Sequence, residues 1–84
     1  MSEPLITLDK LRRGIRARVE SVDWAILEEA DRIRLRQFGF DEGVTVEQMH
    51  QGPFGADPVA IKVGRMTVAI RRSHARAIKV STAA

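Results

Sequence analysis

Apolar and polar positions alternate most clearly between Val59 and Arg72, in the stretch VAIKVGRMTVAIRR. Gly64 and Arg65 separate two alternating runs, and a two-residue loop that begins with Gly is typical of a type II′ turn, because Gly accepts a positive φ. This loop fixes the register, since a slip of one residue would turn every apolar side chain toward water. The predicted cross-strand pairs are Val63 with Met66, Ile61 with Val68, and Val59 with Ile70. The pattern therefore predicts a β-hairpin with one apolar face and disfavours an amphipathic helix.

Three further segments show the same period of two and are predicted to be short strands. Their apolar positions are Ile15, Ala17 and Val19 in the first, Val44 and Val46 in the second, and Ile78 and Val80 in the last. Leu8 and Leu11 stand at helical spacing before the first of these segments, which predicts a short turn that closes one end of the core. Five short strands joined by tight turns indicate a small, partly open β-barrel.

The segment from Asp23 to Gly39 differs, because it is charged, rich in helix-forming residues and free of internal Gly and Pro. We predict a helix there that ends in a Schellman motif, with Gly39 in the left-handed conformation and an apolar contact between Leu35 and Phe40. A second, single helical turn is predicted over the sequence SHAR, with Ser73 as its capping residue.

The length of 84 residues predicts one small domain, with its core over residues 7–80 and flexible termini. Such a domain has a modest core and little room for an enclosed active site, so we expect no enzymatic activity. The chain has no cysteine, which excludes disulfides and thiolate metal sites. It lacks an apolar run of membrane-spanning length and a recognisable signal sequence, so a cytoplasmic location is expected.

The charge balance is 14 Lys plus Arg against 11 Asp plus Glu, a net charge of +3. This mild excess permits contact with an acidic protein or with nucleic acid. A nucleic-acid-binding barrel would use Arg16 and Arg18 together with Arg71 and Arg72, but the chain has no Tyr and few aromatic side chains on which bases could stack. This alternative is therefore retained in second place.

Motifs for catalysis, metal binding and cofactor binding are absent from the sequence. His50 and His74 are far apart and have no neighbouring Cys or His, so a built metal site is not expected. The carboxylates Glu28, Glu29 and Asp31 could hold a hard cation, but a solvated helix face explains them more simply. We therefore predict neither catalytic residues nor a bound cofactor or metal.

The loop GPFGADP places Phe54 between Pro53 and Gly55, where an exposed aromatic side chain could anchor a protein partner. The alternative is that Phe54 folds back and closes the end of the barrel. The sequence favours neither of these two interpretations.

Four segments in the same order resemble the FeoA family, the small proteins of bacterial ferrous iron transport. They are TLDKLRRGIRARV, then RLRQFGFDEGVTV, then PFGADPVAIKV, and last MTVAIRRSHARAIKV, which together cover nearly the whole chain. Three features depart from the family pattern: Glu42 stands where Pro usually precedes Gly43, Ala56 is inserted before Asp57, and the hairpin turn is only Gly64 and Arg65.

The resemblance implies a mainly β fold, a small SH3-like barrel of about five strands with one inserted α-helix. It also implies an accessory role in Fe(II) uptake, by docking to the cytoplasmic part of the membrane GTPase transporter FeoB. As the partner-binding residues we predict Pro53 and Phe54, which would form an apolar anchor, and Arg12 and Arg13, which would steer toward an acidic surface. The third alternative is a metal-responsive module like the SH3-like domain of metal-dependent repressors. Whether exposed strand edges pair copies of the chain into weak oligomers is left open.

Overall fold

A computed structural model describes residues 5–50 and 57–82. The strands are β1 (Ile6–Thr7), β2 (Arg16–Val22), β3 (Thr45–His50), β4 (Val59–Val63), β5 (Met66–Ile70) and β6 (Ile78–Ser81). The helices are α1 (Glu29–Gln37) and α2 (Arg72–Ala75), and two 3-10 turns cover Leu8–Lys10 and Trp24–Ile26. All strands form one antiparallel sheet in the order β1-β6-β2-β3-β4-β5, which is curved but not closed.

The hairpin of β4 and β5 has the predicted register, with Val63 opposite Met66, Ile61 opposite Val68, and Val59 opposite Ile70. Gly64 has a φ of 59°, and Arg65 has no positive φ, which fits a type II′ turn. The apolar face is confirmed on β4, where alternate residues are buried. On β5 the side chain of Met66 is 48% exposed, because β5 is the last strand of the sheet.

The Schellman motif at the end of α1 is also confirmed. Gly39 has a φ of 89° and its N–H donates to the carbonyl of Arg36 at 3.0 Å, while the N–H of Phe40 donates to the carbonyl of Leu35 at 3.1 Å. Leu35 and Phe40 are both buried. The motif thus ends the helix and turns Phe40 into the core.

The sequence left the start of the helix between Asp23 and Gly39 open, and only the second half of this segment is α-helical. A 3-10 turn over Trp24–Ile26 is followed by Leu27 in an extended conformation, and α1 begins only at Glu29. The break buries Leu27, whose carbonyl accepts a hydrogen bond from Nε of Arg32 at 2.9 Å. Burial of one apolar side chain therefore outweighs the intrinsic helix propensity of the segment.

The sheet has six strands instead of five, because Ile6 and Thr7 form β1. Ile6 lies opposite Val80 and Thr7 opposite Lys79. Ser81, predicted to lie in the C-terminal tail, belongs to β6 and is buried. β1 and β6 pair with each other directly, so Ile6 and Ser81 both belong to the sheet.

The prediction that Ser73 caps α2 is wrong, because the helix begins two residues earlier than such a cap would allow. Arg71 occupies the N-cap position without a side-chain hydrogen bond. The backbone N–H of Arg72 instead donates to Oδ1 of Asp57 at 3.0 Å. A carboxylate distant in sequence thus satisfies a backbone donor at the start of this helix.

Leu8 and Leu11 are buried, as predicted for residues that close one end of the core. They belong to the hydrophobic core cluster, and the largest of the fully buried side chains are Phe40, Leu8, Leu35, Ile61 and Ile78. The 3-10 turn that carries Leu8 also packs against α2 and β6. The N-terminal segment is therefore an integral part of the core.

Glu20 links β2 to β6 by a side-chain hydrogen bond. Oγ of Ser81 donates to Oε2 of Glu20 at 2.8 Å, and Nε of Arg18 donates to the same oxygen at 3.2 Å. These two hydrogen bonds, with that from Ser81 the stronger influence, lower the pKa of Glu20 below its ordinary value of 4.5. Because the pKa is lower in the folded state, this stabilising contribution is present above the unfolded-state pKa and is lost as the pH falls through the folded-state pKa.

We predict that Ser81→Ala raises the pKa of Glu20 toward its ordinary value, since it removes the main donor to the carboxylate. A carboxyl-carbon NMR titration of both proteins measures this shift directly. Ser73→Ala, at an exposed position in α2, is the control and is expected to leave the Glu20 titration unchanged. An identical Glu20 titration in the Ser81→Ala protein would contradict the prediction.

Candidate interaction surface

Arg12 and Arg13 lie in the short loop between the first 3-10 turn and β2. The loop is fixed on one side by buried Leu11, whose N–H donates to the carbonyl of Leu8 at 3.1 Å. On the other side the N–H of Gly14 donates to the carbonyl of Gln48 in β3 at 2.9 Å. Both arginines are exposed between these two attachments. The loop therefore presents two guanidinium groups on a backbone that is held in place.

The charges of these two arginines are available to a partner. Three other basic residues of this region are paired: Arg16 with Glu47 at 3.6 Å, Arg18 with Glu20 at 3.2 Å, and Arg76 with Asp9 at 3.6 Å. Within residues 5–50 and 57–82, Arg12 and Arg13 form no ion pair. Two adjacent unpaired arginines make a local positive surface that suits carboxylates.

Pro53 and Phe54, the other predicted contact residues, lie outside the described residues. Their part in the docking surface stays a prediction.

The sequence did not reveal a cleft of about 520 Å³ at the end of β5. Its lining includes Arg34, Asp57, Ile70, Arg71 and His74. These residues come from α1, the loop before β4, the end of β5 with the residue that follows it, and α2, so no local spacing could have indicated that they meet. The cleft is open to solvent.

One of the two histidines contacts one of the helix carboxylates. Asp31, in α1, lies 3.2 Å from His74 in α2, measured between Oδ2 and Nε2. His74 lies within the helical turn that was predicted over SHAR, and its contact with Asp31 joins α2 to α1. His50 is the last residue of β3. Among the described residues, no group of three or more His, Asp or Glu side chains is arranged to hold a metal ion.

Arg36, in the last turn of α1, lies against the aromatic ring of Trp24. The guanidinium carbon of Arg36 is 4.5 Å from the centroid of the Trp24 ring, a distance typical of a cation–π contact. This contact attaches the 3-10 turn to the helix.

No helix in the described part of the chain is long and apolar enough to cross a bilayer.

The strand order and the helix inserted between β2 and β3 define a small SH3-like domain of the mainly β class. The sequence profile described as the FeoA domain matches residues 6–82, so the chain belongs to the FeoA family, whose members are involved in ferrous iron transport. No curated protein matches the chain. The predicted family and the predicted fold class are both confirmed.

Solved structures of FeoA proteins are similar over most of the chain. The zinc complex of FeoA from Stenotrophomonas maltophilia, described as a prokaryotic SH3 domain protein, is 36% identical with a TM-score of 0.77, over 90% of this chain and 89% of that one. FeoA from Chlorobium tepidum is 32% identical with a TM-score of 0.81, over 94% of this chain and 71% of that one.

A manganese-dependent transcriptional repressor shares the fold alone. It is 18% identical with a TM-score of 0.82, and the match covers 99% of this chain and 44% of the repressor. The same small domain therefore occurs as one part of a longer protein of a different kind.

Proposed function

We propose that this chain is a cytoplasmic accessory protein of ferrous iron uptake, without enzymatic activity, that docks onto the cytoplasmic part of a FeoB-like membrane GTPase transporter. Membership of the FeoA family supports the transport role. The arginine loop is the observation that supports this docking surface. Arg12 and Arg13 are exposed and unpaired within the described part of the chain, while the backbone around them is hydrogen-bonded.

Arg12 and Arg13 would attract an acidic surface of the transporter and orient the encounter. Charges at the rim of an interface act mainly on the association rate and on its salt dependence. Pro53 and Phe54 would then supply the apolar contact that lengthens the lifetime of the complex, since buried aromatic side chains dominate interface energies. Binding of this kind needs no cofactor or metal in the protein.

The nucleic-acid alternative receives less support from the surface. Arg16 and Arg18, which it would require, are paired with Glu47 and Glu20. Arg72 is half-buried in α2. Acidic side chains beside the basic ones would repel phosphates, so this surface suits a protein partner better.

Reversing the charge of the arginine loop tests the proposal. We expect the double variant Arg12→Glu with Arg13→Glu to bind the isolated FeoB cytoplasmic domain at least about tenfold more weakly, with most of the loss in the association rate. Phe54→Ala is expected to weaken binding by a similar factor, with most of the loss in the dissociation rate. Surface plasmon resonance at two salt concentrations separates these effects.

Arg65→Glu is the matched control, because Arg65 is exposed at the other end of the sheet. Its neighbour Gly64 donates to the carbonyl of Thr45, at the opposite end of β3 from the arginine loop. This variant should bind within about twofold of the original protein, since a distant exposed charge adds little to an interface. Unchanged affinity in the Arg12, Arg13 and Phe54 variants would remove these residues from the docking surface.

A further inference from the structure

Strand β5 is an open edge of the sheet. Among the described strands it pairs only with β4, over five consecutive residue pairs. The opposite edge is β1, which has only two residues. In the described part of the chain, β5 is therefore the edge long enough for another strand to be added to it.

The register identifies the backbone groups that point outward from β5. Val63 and Met66 flank a two-residue turn, so they form a hydrogen-bonded pair, and such pairs alternate with non-bonded ones along an antiparallel ladder. Val68 and Ile70 accordingly bond to β4, whereas the N–H and C=O groups of Thr67 and Ala69 point away from it. These four groups are available to a strand that lies beside β5.

The edge lacks the features that usually prevent such pairing. Natural edge strands are commonly protected by Lys, Pro, a β-bulge or a very short length. β5 contains five uncharged residues without Pro, and its pairing with β4 is continuous. Met66, Thr67 and Ala69 are exposed. The strand is therefore open to the addition of a partner segment.

Positive charge lies at both ends of this edge. Arg65 precedes β5 and Arg71 follows it, and both are exposed and outside any ion pair of the described residues. Arg34 and Arg71 both line the cleft beside Ala69 and Ile70.

The other ionisable side chains of this cleft already have partners. Oδ1 of Asp57 accepts the N–H of Arg72, and the ring of His74 contacts Asp31. Asp57 keeps its negative charge in this contact, but the two guanidinium groups of Arg34 and Arg71 outnumber it, and the ligand groups that fit these arginines are carboxylates.

These charges argue against a second copy of this chain as the added strand. Antiparallel pairing of two β5 strands centred on Val68 would place Arg65 of each copy opposite Arg71 of the other. Like charges in direct cross-strand positions are destabilising. A strand with acidic residues at its end would instead be attracted to the arginine at this position, whereas the arginines of a second copy would be repelled.

We propose that β5 binds an extended segment of a partner protein by strand addition, with an acidic residue of that segment in the cleft between Arg34 and Arg71. The segment runs antiparallel to β5, so its amino-terminal end carries the carboxylate and its uncharged residues pair with Thr67 and Ala69. This surface differs from the arginine loop of Arg12 and Arg13, and the inference goes beyond docking to the transporter.

A pair of blocked synthetic peptides tests the proposal on the full chain: Glu-Glu-Thr-Val-Thr-Val-Thr and Lys-Lys-Thr-Val-Thr-Val-Thr. We expect the Glu peptide to bind at least tenfold more tightly than the Lys peptide and to slow amide hydrogen exchange at Thr67 and Ala69. Val68, whose amide bonds to β4, serves as the internal reference.

Variants of the edge separate strand addition from simple charge attraction. Ala69→Pro removes one outward N–H and should abolish binding, whereas Ala69→Thr keeps this N–H and should bind normally. Arg71→Glu should make the Lys peptide the better ligand. Unchanged exchange at the β4 amides shows that each variant is folded.

Several results would overturn the proposal. They are equal affinity for the two peptides, absence of binding by the Glu peptide at about 1 mM (a free energy of roughly −4 kcal/mol), and chemical-shift changes centred on residues 12–14. A dimer of the protein alone that Ala69→Pro dissociates would show that a second copy occupies the edge. The transporter-docking test uses Arg12 and Arg13 variants, so its failure is distinguishable from failure here.

Discussion

Phe40→Ala is expected to lower the free energy of unfolding by about 3–5 kcal/mol. Phe40 is 1% exposed and is the largest of the fully buried side chains. Truncation to Ala removes its contacts with the core and leaves a cavity that the surrounding sheet can fill only in part. A loss of this size is a large fraction of the stability of a small domain.

Phe38→Ala is the matched control, because it removes the same atoms only two positions earlier. Phe38 is partly exposed and packs against the edge of the core. Its loss of stability should be smaller by at least about 1 kcal/mol, in proportion to the smaller area removed from water. Urea denaturation followed by circular dichroism measures both variants, and equal losses would show that the Schellman motif does not direct Phe40 into the core.

Leu8→Ala is expected to cost about 2–5 kcal/mol. Leu8 is fully buried, in the 3-10 turn that packs against α2 and β6. Leu5→Ala is its control, since Leu5 is 49% exposed and its truncation should change the stability by no more than about 0.5 kcal/mol. Thermal and urea denaturation of the two variants provide the comparison, and similar small effects in both would mean that the N-terminal turn is not part of the cooperative core.

The Leu8 variant also connects the core to the proposed docking surface. The carbonyl of Leu8 accepts the N–H of Leu11, the residue immediately before Arg12. A less firmly held turn would give the two arginines more conformational freedom, and ordering them on binding costs free energy. Affinity for the transporter domain should therefore fall in the Leu8→Ala protein even though no proposed contact residue is changed.

The local elements were predictable because their determinants lie within a few residues. The hairpin follows from Gly64 and from the alternation on either side of it, and both the register and the turn are as predicted. The helix end follows from Gly39 and the apolar pair Leu35 and Phe40. In each case a glycine with positive φ sets the backbone conformation, and a short apolar pattern determines which side chains face the core.

The proposed docking residues were accessible to sequence reasoning only in part. Arg12 and Arg13 stand out as adjacent bases next to a buried leucine, and the structure shows both exposed. Of their neighbours, Arg16 is paired with Glu47 from another strand, and Arg18 is paired with Glu20. The pairing of Arg16 is therefore decided by a contact between strands, whereas the pair of Arg18 and Glu20 lies within β2.

By itself, the sequence determined the hairpin, the end of α1, the small mainly β fold and membership of the FeoA family. The tertiary structure decided the break at Leu27, the capping of α2 by Asp57, the pairing of Ile6 with Val80 and the open edge of β5. The physical reason is range: turn geometry and side-chain alternation act between near neighbours, whereas burial, capping and strand order depend on residues that only the folded chain brings together.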